Sequence, residues 1–114
     1  MLIKKTGQIC PVWGTLEMSL RRIFKVDIEL NGRRIKYVLI DPHYELKHSE
    51  SMSDFIVMGL VALLDGDTFL PESEVGRFEY FAKDGLILNC KSYRLIWVLE
   101  VDQFYIGVIN AYRR

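Results

Sequence analysis

Apolar and charged residues alternate along the stretch that opens at Phe24: Phe24, Val26, Ile28 and Leu30 are separated by Lys25, Asp27 and Glu29. That is the period of a strand with one buried face. Asn31-Gly32 follows, a dipeptide that supplies the two positive-φ positions of a type I′ turn. A two-residue hairpin therefore pairs Leu30 with Arg33, and counting outward sets Ile28 opposite Ile35, Val26 opposite Tyr37 and Phe24 opposite Leu39. The other face joins Asp27 to Lys36 and Glu29 to Arg34. Apolar side chains meet apolar ones and opposite charges meet, as cross-strand pairing favours.

Before the hairpin, residues 1–5 read as a short edge strand, residues 6–15 as an irregular connection with Gly7, Pro11 and Gly14, and residues 16–22 as a helical turn. After it, Asp41-Pro42 ends the strand, and His43 to Ser49 predicts a short first helix with Pro42 at its start. Ser51-x-x-Asp54 resembles a capping box with Asp in place of Glu, opening a second helix that runs to about Leu64 and stops at Asp65-Gly66. Phe55 to Leu64 is apolar nearly all round, which predicts cover on more than one side, by the sheet of its own domain or by a partner chain. Asp67 to Val75 reads as an acidic loop. Four strands follow: Arg77 to Ala82, Leu86 to Cys90, Tyr93 to Glu100 and Phe104 to Tyr112, separated by Lys83-Asp84-Gly85, Lys91-Ser92 and Asp102-Gln103. Within the third, Tyr93 to Leu99 is apolar except for Arg94, and this strand is expected at the centre. A two-residue loop at Asp102-Gln103 sets Arg94 opposite Ala111. The expected architecture is α+β: an N-terminal β-hairpin and two helices packed on a four-stranded antiparallel sheet.

The 114 residues, 50% apolar and 26% charged, suit one globular domain and exclude a disordered chain. The longest apolar run, Phe55 to Leu64, is about half of the ~20 residues a spanning helix needs, and residues 1–20 lack a signal-peptide pattern. A cytoplasmic protein with no membrane association is expected. Cys10 and Cys90 make no metal-ligand spacing and read as free, buried thiols. Formal charge is zero, yet unevenly spread. Residues 1–40 hold eight basic and three acidic groups, residues 41–80 two and nine, and residues 81–114 five and three. A neutral total thus conceals a basic first third beside an acidic middle.

No phosphate-binding loop, dinucleotide fingerprint, nucleophile elbow or zinc-protease helix is present, and His43 and His48 have no third metal ligand in reach by spacing. On a helix, His43 and Lys47 share a face, setting a group that titrates near neutrality beside a fixed cation. Metal-free RNA cleavage needs such groups: a base for the 2′-hydroxyl, an acid for the departing 5′-oxygen and cations for the phosphorane charge. Taken alone, a His and a Lys on a polar helix are more often a solvated surface, and composition does not decide between the two. Arg94, inside an apolar strand, must pair with a carboxylate or open into a polar cleft; Glu79 and Asn89 are its candidate structural partners. Arg77 raises the same question. Tyr112-Arg113-Arg114 joins a ring to two cations, which suits a phosphate and a base as well as an ordinary basic terminus.

The segment Lys91 to Glu100, with its Tyr93-Arg94-Leu95-Ile96-Trp97 core, resembles the tyrosine-arginine-aliphatic strand of RelE- and ParE-type bacterial toxins. The order around it is similar to the BrnT toxins and to small domains of the barnase, EndoU, colicin and RelE nuclease superfamily: His43 and Lys47 on a first helix, an apolar second helix, then a meander ending in Asn110-Ala111-Tyr112-Arg113-Arg114. The resemblance covers about residues 37–114 and leaves residues 1–36 as an extension of the single domain. It implies a metal- and cofactor-independent endoribonuclease of a toxin–antitoxin system, acting on RNA or ribosome-bound mRNA and silenced by a cognate antitoxin. It would place His43, Lys47, Arg94, Tyr112 and Arg113 in catalysis. His48, Arg77, Tyr93 and Arg114 are added to this set as substrate-binding candidates, and the apolar helix is compatible with a homodimer. The rival expectation is a non-catalytic binding module of the same fold, of the immunity or antitoxin-like kind, which the neutral charge favours. The two readings separate on one geometric requirement: the nuclease needs Arg94, Arg113 and at least one of His43 and Lys47 to open onto a common cleft.

Overall fold

A computed structural model describes residues 22–40 and 53–114. The elements are β1 (Arg22–Leu30), β2 (Arg33–Ile40), α1 (Asp54–Ala62), β3 (Ser73–Val75), β4 (Phe78–Leu88), β5 (Lys91–Glu100) and β6 (Tyr105–Arg113). The expected strand at residues 1–5, the turn at 16–22 except Arg22, and the first helix from His43 to Ser49 lie outside the described residues. Arg22 opens β1 instead.

The expected fold class is corrected. All six strands form one mixed sheet in the order β1-β2-β6-β5-β4-β3, and the described residues hold one helix of nine residues, so the fold is mostly β. The physical cause lies in the run Tyr37-Val38-Leu39-Ile40. Val38, Leu39 and Ile40 are all fully buried, which requires cover on both faces of the strand, the mark of an interior position. β2 obtains it by pairing in parallel with β6, Val38 beside Ile106 and Ile40 beside Val108. The hairpin thereby becomes part of the sheet.

The Asn31-Gly32 turn forms, with φ of 54° and 73°, and Leu30–Arg33, Glu29–Arg34 and Ile28–Ile35 pair as expected. A β-bulge between Lys25 and Ile28 then shifts the register, so that Phe24 faces Val38 and Lys25 faces Tyr37. Two expected strands are one: Lys83-Asp84-Gly85 is a bulge within β4, and Gly85 takes a φ of 77° that L side chains rarely adopt. The tight turn follows at Asn89-Cys90, both at positive φ, with Leu88 opposite Lys91. Cys90 is consequently an exposed free thiol, not a buried one. Leu99–Ile106 and Trp97–Val108 obey the expected β5–β6 register, but a third bulge, at Ile109, moves Arg94 opposite Tyr112.

α1 is capped by Ser53, whose hydroxyl accepts the Ile56 N–H at 3.3 Å; the cap falls two residues after Ser51. Val57, Leu60, Val61 and Leu64 are fully buried, each worth roughly 1.5–3 kcal/mol. Opposite them Phe55 stays 83% and Leu63 42% exposed, so only one side of the helix is covered. Trp97 centres this core, stacked on Phe81 at 5.3 Å and met edge-on by Phe69 at 5.2 Å. Leu39, Phe78, Val98 and Tyr105 form a smaller cluster on the other face of the sheet. Among the described residues no helix is long and apolar enough to cross a membrane.

Candidate functional site

Side chains alternate along β5, so Tyr93, Leu95, Trp97 and Leu99 enter the core with α1, while Arg94 points to the opposite face. The Arg94 guanidinium is half-buried and donates from Nη1 to Asp84 Oδ2 at 2.8 Å. Its partner is thus neither Glu79 nor Asn89. The β4 bulge brings Asp84 to it, and Arg114 Nε lies 3.4 Å from the other oxygen of the same carboxylate. Tyr112, directly across from Arg94, completes this cluster of two cations, one anion and one ring.

The remaining expected site residues do not join it. Arg113 lies opposite Tyr93 and projects to the α1 side of the sheet. Tyr93 is itself 3% exposed within the core, which withdraws its ring from any substrate. Arg77 lies beside Val101, just past the far end of β5 and seven residues or roughly 23 Å along the strand from Arg94. There its Nη2 donates to the Val101 carbonyl at 2.7 Å and its Nε lies 3.6 Å from Glu100. His43, Lys47 and His48 lie outside the described residues.

Glu100 is the buried charged residue of the described chain, 3% exposed. It accepts the Tyr105 hydroxyl at 2.8 Å, and its carbonyl accepts from Arg33 at 3.2 Å. Arg33 also lies 3.5 Å from Glu79. A carboxylate so enclosed has no route to a substrate. Its work is structural, tying β2, β4, β5 and β6 together at one end of the sheet.

A third assembly was not expected from the sequence. The β1 bulge opens a hollow of about 590 Å³ lined by Lys25, Val26 and Asp27 from β1 and by Arg34, Lys36 and Tyr37 from β2. Asp27 is held by Arg34 at 2.8 Å, leaving Lys25 and Lys36 without a carboxylate partner among the described residues. Both Lys36 N–H and Tyr37 N–H donate to the Phe104 carbonyl, which fixes the β5–β6 loop beside the hollow and sets Lys36 Nζ 5.8 Å over the Phe104 ring. Phe104 and Tyr37 remain 56% and 36% exposed. The signal legible in the sequence was the basic excess of residues 1–40; the bulge that gathers these groups was not.

No protein-family model, curated protein or solved structure matches this chain.

Proposed function

We propose that the chain is a non-catalytic binding module of the cytoplasm, the rival reading of the sequence, with the outer face of the β1–β2 hairpin as its recognition surface. One observation carries this: Arg94 and Arg113 project from opposite faces of the sheet, and Arg94 is already held by Asp84. Two cations on opposite faces cannot clamp one phosphorane. On the hairpin, two ammonium groups with no carboxylate partner among the described residues, Lys25 and Lys36, lie beside two exposed rings.

A second reading, the endoribonuclease, draws on the convergence of Arg94, Tyr112 and Arg114 around Asp84 on the face away from α1. In it Arg114 replaces Arg113 in the phosphate clamp, and His43 with Lys47 supplies acid–base chemistry. Inducible expression in bacteria of the wild type beside Arg94→Ala and His43→Ala separates the two. The binding module leaves growth and cellular RNA intact in all three cultures. Growth arrest with RNA loss in the wild type, relieved by either substitution, replaces the binding module with the nuclease.

A further inference from the structure

We propose that the hollow at the β1 bulge binds a phosphate joined to a planar base, the repeating unit of single-stranded RNA and equally a free nucleotide. This rests on the binding-module reading and deepens it by naming the ligand. The charge comes first. Of the four ionic groups lining the hollow, Asp27 satisfies Arg34 at 2.8 Å, and Lys25 and Lys36 remain to receive an anion. Ammonium groups act on phosphate as point charges and need no fixed fork geometry.

The rings decide which anion. Tyr37 lines the hollow and Phe104 adjoins it through Lys36, and both keep much of their surface open. An acidic peptide would use the ammonium groups and leave the rings idle. A nucleotide uses both, since every base has a face that stacks on an aromatic side chain. The hollow is shallow and open to solvent, with a volume of about 590 Å³, so a base and a phosphate would lie along its wall and remain partly solvated. The backbone around the hollow is held in place: two N–H groups of β2 bond one carbonyl of the β5–β6 loop, so the main chains that carry Lys36, Tyr37 and Phe104 stand in a fixed relation before any ligand arrives.

Fluorescence anisotropy of a labelled ten-nucleotide oligouridine RNA, titrated with the full chain, tests this. Two phosphate contacts predict a log–log salt slope near about −1.4, at roughly 0.7 per contact for a single strand. The double variant Lys25→Gln, Lys36→Gln weakens binding about tenfold or more, and Tyr37→Ala and Phe104→Ala each weaken it about fivefold or more. Lys83→Gln, an exposed cation on β4, changes nothing. Circular dichroism confirms that each variant is folded, and the two ring variants stand in for each other if one is not. Displacement by uridine monophosphate assigns the site to a free nucleotide; displacement only by unlabelled oligomer assigns it to a strand. The proposal is overturned if no binding occurs at low salt, if the lysine or the ring variants bind as the wild type does, or if polyglutamate displaces the RNA at equal charge. RNA bound at the hollow but cut during the titration would keep this site and remove the non-catalytic reading.

Discussion

Arg94 and Glu100 lie on the same face of β5 yet live in different physical regimes. Arg94 pairs with an Asp84 carboxylate whose side chain is 47% exposed, and ion pairs open to water contribute about 0–1 kcal/mol. Arg94→Ala should therefore lower stability by less than about 1 kcal/mol in urea unfolding; a loss several times larger would mean that the pair is a structural keystone. Glu100 is buried and depends on the Tyr105 hydroxyl. Tyr105→Phe leaves that carboxylate short of a donor and should cost about 1.5–3 kcal/mol in the same experiment, whereas a neutral effect would show that Arg77 suffices alone. The oddity of an arginine in an apolar strand was legible in the sequence. Its partner was not, because Asp84 reaches Arg94 only through a bulge, and one extra residue in a strand leaves no compositional trace.

The two hairpin turns show why some elements were readable and others slipped. Asn31-Gly32 matches the chemistry of its turn, and the pairs nearest it formed as expected. Asn89-Cys90 adopts the same left-handed pair of φ angles with a β-carbon where glycine is preferred, so this turn lies two residues before the position its sequence predicts. A left-handed conformation costs an L residue roughly 1–2 kcal/mol, and glycine returns about 0.5–1 kcal/mol of that in unfolded-chain entropy. Cys90→Gly is thus expected to stabilise the protein by about 0.5–1 kcal/mol, read as a raised thermal midpoint; an unchanged or lower midpoint would contradict a strained turn. Asn31 has a further duty. Its side chain exchanges two hydrogen bonds with the Phe69 main chain, at 2.9 and 3.0 Å, pinning the first turn to the loop that carries Phe69 onto Trp97. α1 illustrates the opposite failure: its apolar sequence marked a packed helix, but an all-apolar pattern cannot say which side is covered.

At the scale of the molecule, the parallel β2–β6 pairing converts a hairpin and a meander into one sheet. Its signal was present in two apolar runs, Tyr37 to Ile40 and Phe104 to Ile109, each too continuous for a strand with one wet face. The same sheet divides the cations. Arg94 and Arg114 gather at one end, Arg33 and Arg77 brace the other, Arg113 faces the helix side, and Lys25 and Lys36 flank the hollow. Among the described residues Arg22, Arg33, Arg34, Arg77, Arg94 and Arg114 are answered by a carboxylate, while Lys25 and Lys36 keep the hairpin's positive charge open. Binding should accordingly be local and salt-sensitive. Chemical-shift mapping of the isotope-labelled full chain during titration with a short single-stranded RNA tests this division most directly. The account predicts perturbations at Lys25, Asp27, Arg34, Lys36, Tyr37 and Phe104, with the RNA recovered uncut. Perturbations centred on Arg94, Tyr112 and Arg114, with the RNA cleaved, would contradict it.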